Sequence, residues 1–209
     1  MSLVLFDFDG TLTTRDTIWP FASFLCKESG RSGGTRLSIL LSLLMLKFRL
    51  VSNHSFKERL LRLLVRGEAE PSIAERTEKF HQMRLNSLLN QPVVRALLKH
   101  AAAGDDVYLV SSNFDFFLRP LQQRWKLKGI FATETEVAGG HFTGRISGRA
   151  CDGKEKLARV VAFFGERTAR GAEAYGDSRG DSFLLGFVKT GHWVGPHNAN
   201  RTARSLRPA

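Results

Sequence analysis

Cysteine is scarce in this chain: Cys26 and Cys151 are the only two among 209 residues. They stand in no metal-ligand spacing and give no reason to posit a bridge, so a disulfide scaffold is excluded and a reducing compartment is expected. Long apolar runs are lacking too. The longest uncharged one, residues 37–46, lies between Arg36 and Lys47, about half of the roughly 20 residues that cross a bilayer. The short stretch before Asp7 is too brief for a signal-peptide core, so no targeting segment is expected and the cytoplasm is the expected location. Acidic residues are few, 20 Asp plus Glu against 31 Lys plus Arg, which leaves a net charge of +11. Apolar residues at 43% and charged residues at 24% exclude a disordered or fibrous chain.

What is present is unevenly placed. Between Lys27 and Gly67, nine Lys or Arg face Glu28 and Glu58, a local net of +7. That charge suggests an anionic partner: a phosphorylated substrate, a membrane surface or nucleic acid. Nucleic acid is not expected, because the aromatics do not interleave with the basic residues in any base-reading module.

Residues 3–6 form a short, wholly apolar run before Asp9-Gly10, the pattern of a buried parallel strand. Residues 16–90 then carry helical periodicity almost free of strand signals, with Gly30, Gly33, Gly34 and Pro71 as breaks. After Pro92 a β–α alternation resumes: helix 93–103, strand 107–110, helix 114–125, strand 130–131, helix 153–164, strand 173–175, helix 181–188 and strand 192–194. Two segments, 134–137 and 141–146, flank Gly139-Gly140 and read as a hairpin. The expectation is an α/β fold with a doubly wound parallel sheet, an all-α insert and a small β-hairpin. Residues 1–15 and 91–209 would form the core and 16–90 a helical cap; residues 199–209 read as a basic tail. The six histidines lack ligand spacing and read as surface or capping residues, and Trp19, Trp125 and Trp193 read as core.

In an open parallel sheet, ligands bind beyond the carboxyl ends of the strands. The residues standing there are Asp7 and Asp9, then Ser111, then Asp177 with Asp181, while Lys156 opens a helix between them. Carboxylates so gathered need a cation, and oxygen donors without Cys or His favour Mg²⁺. A Mg²⁺ opposite a lysine accepts a phosphate dianion; one carboxylate can attack phosphorus while a second moves the proton.

At these residues a resemblance appears. Asp7-Phe8-Asp9-Gly10-Thr11-Leu12 resembles the first motif of the haloacid dehalogenase superfamily, and residues 175–181, Tyr-Gly-Asp-Ser-Arg-Gly-Asp, resemble its last. The stretches 142–145 and 151–156 and the helical insert are similar to the phosphoserine-phosphatase-like subfamily IB. The resemblance implies a Rossmann-like core with a cap of the C1 type, and a Mg²⁺-dependent phosphatase acting through an aspartyl-phosphate. It implies Asp7 as nucleophile and metal ligand, and Asp9 as acid and base with its carbonyl on the metal. Ser111 would hold phosphoryl oxygens, with Ser112 and Asn113 at the substrate. Lys156 would stabilise the transferring group, although Lys154 lies close enough to compete. Asp177 and Asp181 would hold the metal. Asp16 stands where the subfamily has a Glu for a substrate amine, and Arg59 or Arg62 would meet a substrate carboxylate. A phosphotransferase with the same chemistry is the alternative, and a non-catalytic basic module the least favoured.

The substrate expectation rests on residues 36–49, too apolar around the helix for an ordinary surface segment and too short to span. Such a helix is either buried or lies in a membrane interface with its cations on anionic head groups. The second option, with the resemblance to phosphatidylglycerophosphate phosphatases, points to a lipid phosphate at the inner face of a membrane, ahead of phosphoserine or another small phosphate ester.

Overall fold

A computed structural model describes residues 1–30, 33–48 and 50–195. The 199–209 tail lies outside them. Five parallel strands form the sheet: β1 (Leu3–Phe6), β2 (Asp106–Phe114), β3 (Gly129–Thr133), β6 (Glu173–Gly176) and β7 (Thr190–Trp193), in the order β3-β2-β1-β6-β7. The apolar run of β1 puts the strand at the centre, with Val4, Leu5 and Phe6 fully buried. Because side chains alternate, Val4 and Phe6 enter one core and Leu5 the other. The first core is covered by α5 (Gln91–Ala102) and α6 (Asp115–Arg124), the second by α7 (Lys154–Phe164), α8 (Glu166–Gly171) and α9 (Ser182–Phe187). The chain winds from β1 through β2 to β3 on one side, then returns to β6 and β7 on the other. The crevice where direction reverses opens at the carboxyl end of β1.

Between β1 and α5 lie α1 (Ile18–Glu28), α2 (Gly33–Lys47), α3 (Asn53–Leu64) and α4 (Glu70–Met83). Phe21 of α1 and Phe80 of α4 meet Phe117 of α6 with ring centroids 4.7 and 5.9 Å away, which ties the insert to the core by large apolar contact. The antiparallel hairpin β4 (Thr135–Ala138) and β5 (His141–Ile146) packs under α3. Gly144 sits there at φ +84°, a conformation that favours glycine, and a Cβ would in addition crowd the Arg62 Cα at 3.2 Å. α8 is an element the sequence reading lacks; its six residues carry no apolar stripe.

Two expectations change. Trp19 is exposed rather than core. His81 of α4 is buried, edge-on to Phe117 at 4.9 Å, and neither ring nitrogen has a hydrogen-bond partner among the described residues. Burial, helped by Arg124, pushes its pKa down to about 4. A group that must stay neutral in the folded state leaves stability intact above its unfolded value near 6.5 and removes it as pH falls toward 4. Urea titrations at pH 7 and pH 4 should show wild type losing on the order of 3 kcal/mol more than His81→Phe. Equal losses in the two proteins would contradict this.

Candidate active site

Asp7 follows β1 directly, its N–H donating to the Tyr175 carbonyl at 2.9 Å. The chain then makes a tight turn over Phe8–Leu12, in which Asp9 is extended and Gly10 sits at φ +80°. A Cβ on Gly10 would fall 2.2 Å from Asp177 Oδ2, so the glycine lets Asp177 lie against the turn. The polar segment Ser111-Ser112-Asn113, which the sequence pattern leaves between strand 107–110 and helix 114–125, continues β2 through a register irregularity between Val110 and Phe114. Such bulges re-aim side chains at the end of a strand.

Lys156, buried in the first turn of α7, donates to Asp7 Oδ1 at 2.6 Å and to Asp181 Oδ1 at 2.5 Å. Asp181 Oδ2 in turn accepts from the Ser178 N–H and hydroxyl at 3.0 and 2.8 Å. Thr11 Oγ1 donates to Asp7 Oδ2 at 3.2 Å. Carboxylate oxygens of Asp7, Asp177 and Asp181 lie within 4.8 Å of one another. Asp9 turns aside: its Oδ1 accepts from the Thr17 N–H and hydroxyl at 2.8 and 2.7 Å, and its Oδ2 from Asn113 Nδ2 at 2.8 Å. Ser111 is buried, its Oγ accepting from the Asn113 N–H at 3.1 Å. A hollow of about 360 Å³ lies over these groups, lined by Asp7, Asp9, Arg15, Asp152, Lys156 and Asp177, with Asp16 and Ser112 at its wall.

Crowding sets the electrostatics. Burial pushes the Asp7 carboxyl up to about 8, against the pull of Lys156 and reinforced by Asp181. Burial and Asp16 raise Asp9 to about 6; burial and Asp181 raise Asp177 to about 6. Burial works against the Lys156 charge, but Asp7 and Asp181 outweigh it and hold the ammonium firmly protonated. Three carboxylates facing one lysine carry surplus negative charge. All-oxygen donors of this kind suit Mg²⁺, whose own charge would return the carboxyls to their ionised form.

The structure thus gathers Asp7, Asp9, Ser111, Ser112, Asn113, Lys156, Asp177 and Asp181 at one strand edge. Lys154 is exposed, its Nζ 5.4 Å from the Phe183 ring centroid, so of the two lysines Lys156 is the one in the site. Asp16 borders the hollow with Oδ1 accepting from the Ile18 N–H at 2.7 Å. Arg59 and Arg62 are not brought there: both are exposed, Arg62 pairing with Glu58 at 3.6 Å. Residues the sequence reading missed are Thr11 and Thr17, which hold Asp7 and Asp9, and Arg15 and Asp152, which line the hollow. Asn53 Nδ2 of α3 donates to Asp152 Oδ2 at 2.7 Å and latches the insert to the core beside the hollow.

A family model described as haloacid dehalogenase-like hydrolase matches residues 4–185. Protein CicA of Caulobacter vibrioides is 27% identical over 184 residues, covering 88% of this chain and 81% of its own. A phosphoserine phosphatase of Archaeoglobus fulgidus is 31% identical over 186 residues, and the chain spans 49% of that protein's length and 88% of its own. A solved structure from Bordetella pertussis Tohama I, of a protein with unknown function, superposes with a TM-score of 0.77 at 27% identity, covering 88% of this chain and 85% of that one. With its parallel sheet, its ordered acidic motifs and this match over most of its length, the chain belongs to the haloacid dehalogenase-like hydrolases.

Proposed function

We propose that the protein is a Mg²⁺-dependent phosphomonoesterase that works through an aspartyl-phosphate on Asp7, and that it acts on a lipid phosphate presented at an anionic membrane. The observation that carries the chemistry is the chain Asp7–Lys156–Asp181, with Asp9 held separately by Thr17 and Asn113. An Asp7 carboxylate oxygen attacks phosphorus while the bond to the leaving oxygen breaks, and the Asp9 carboxyl gives that oxygen its proton. Asp9, now a carboxylate, takes a proton from water; the water oxygen attacks phosphorus, the P–O bond to Asp7 breaks, and phosphate leaves. Asp7, Asp177 and the Asp9 carbonyl would hold Mg²⁺, with Asp181 in support. When bound, the cation offsets charge on the phosphoryl oxygens. Lys156 adds its charge to the same oxygens, and the helical insert, acting as a cap, excludes water.

The lipid reading rests on α2. Ile39 and Ser42 are buried, but Leu37, Leu40, Leu41 and Leu44 share an exposed face that runs on to Phe48, Leu37 being 56% and Phe48 69% exposed. An apolar stripe of this kind marks an interaction surface. Beside it a second hollow of about 350 Å³ is lined by Arg15, Lys27, Arg36 and Arg84 over Phe24 and Leu88, with no acidic residue among the described residues of its wall. Arg15 lines both hollows. No described helix is long and apolar enough to cross a membrane.

A panel of phosphoserine, sugar phosphates, phosphocholine, nucleotides and phosphatidylglycerophosphate in vesicles, assayed with and without Mg²⁺, tests this. The expected result is Mg²⁺-dependent hydrolysis, fastest for the lipid, together with salt-sensitive sedimentation on anionic liposomes that Leu40→Ser with Leu44→Ser weakens. Fast hydrolysis of a soluble ester with no liposome binding would replace the lipid by a small substrate.

A further inference from the structure

Lys57 of α3 is fully buried, and its ammonium has no hydrogen-bond partner among the described residues. The ammonium lies 5.2 Å from the centroid of the Phe114 ring. Lys57 stands one turn after Asn53, whose Nδ2 donates to Asp152 Oδ2, and against Phe114, the residue after the Asn113 that holds Asp9, so it sits at the seam between the insert and the strand ends, next to the catalytic hollow. Burial without a partner works against its charge, while the carboxylates of Asp9, Asp16 and Asp152 oppose that loss. Leaving an ammonium buried and unpaired costs several kcal/mol, which a chain does not carry without return.

We propose that Lys57 is the specificity-determining residue for the leaving group: it recognises a second anionic group, a carboxylate or a phosphodiester, on the alcohol side of the phosphate ester. This rests on the phosphomonoesterase reading. Lys57 is covered, so recognition requires the seam between α3 and the strand ends to open when substrate enters. The Phe114 ring beside the ammonium offers no acceptor oxygen, which leaves its donors for the substrate. Arg59 and Arg62 cannot serve, because they lie on the exposed side of the same helix. Neutral or cationic leaving groups would leave Lys57 unpaired, and so are discriminated against.

The test compares kcat/KM for D-3-phosphoglycerate, a short-chain phosphatidylglycerophosphate, glycerol 3-phosphate and phosphocholine in wild type, Lys57→Met and Lys57→Arg. Wild type should favour the first two, and the faster of them tells carboxylate from phosphodiester. In Lys57→Met the ratio of anionic to neutral ester should fall by about 10- to 100-fold, the worth of a charge-assisted hydrogen bond, and Lys57→Arg should restore most of it. The melting temperature of Lys57→Met should hold or rise, because an apolar isostere replaces a buried charge. Equal losses on every ester, with a lowered melting temperature, would make Lys57 a scaffold residue and overturn the proposal. If wild type hydrolyses no ester with Mg²⁺, the phosphomonoesterase reading fails. Calorimetry on Asp7→Asn with D-3-phosphoglycerate and glycerol 3-phosphate then still decides: a preference for the first that Lys57→Met abolishes sustains the role of Lys57, and equal affinities refute it.

Discussion

Asp7→Asn should abolish turnover and leave the fold standing. An amide oxygen is a poor nucleophile toward phosphorus, and the site loses the carboxylate through which Asp7 joins Lys156 and would hold a metal. The expected fall in kcat is at least about 10³, or about 4 kcal/mol of transition-state stabilisation. The fold should tolerate the change because Asn is isosteric and because burial already pushes the Asp7 carboxyl toward its neutral form. The side-chain oxygen can still accept from Thr11 or Lys156. Steady-state kinetics with a melting curve settle both halves; more than a tenth of wild-type activity would contradict the nucleophile assignment.

Lys156→Met should cost activity and stability together, whereas Lys154→Ala should cost little of either. Lys156 is the ammonium between two buried carboxylates, with bonds of 2.6 and 2.5 Å. Removing one partner of a buried ionic set typically costs about 3–5 kcal/mol, and here it leaves Asp7 and Asp181 facing each other. Turnover should drop by about 10² or more, since the charge opposite the phosphoryl oxygens is gone. Lys154, two residues earlier and therefore on another helix face, offers only an exposed ring contact worth about 0.5–1 kcal/mol. Urea titration and kcat on both variants are the measurements, and the reverse order would move the role to Lys154.

How much of this was legible in the sequence follows from where apolar runs end. Residues 3–6, 107–110 and 173–175 announce central strands, and the carboxyl-end rule then singles out Asp7, Asp9, Ser111 and Asp177 without any coordinates. Lys156 needed the helix start at Gly153, where φ is +57°. The bulge that carries 111–113 was not legible, because Ser-Ser-Asn reads as loop and only pairing with β3 shows otherwise. Thr11, Thr17 and Asn113 act as holders of Asp7 and Asp9, roles that contact alone reveals. Lys57 did leave a signal: it shares the apolar stripe of α3 with Leu60, Leu61 and Leu64, all buried, so a cation stands where periodicity calls for a hydrophobe. Arg59 and Arg62 were chosen by residue type, yet two and five residues from Lys57 they project from other parts of the helix. For α2 composition showed the apolar excess, and the fold showed which side of it stays uncovered.

The central claim is covalent chemistry at Asp7, and Asp9→Asn is the variant in which to catch it. Proton donation matters least for an aryl leaving group, so this variant should still be phosphorylated by p-nitrophenyl phosphate with Mg²⁺, while the water attack that needs Asp9 as base is slowed. Acid quench followed by borohydride reduction converts an aspartyl-phosphate to homoserine, which peptide mass analysis locates. The expected result is a burst of nitrophenol and homoserine at position 7; a burst of nitrophenol with position 7 unmodified would contradict covalent chemistry at Asp7.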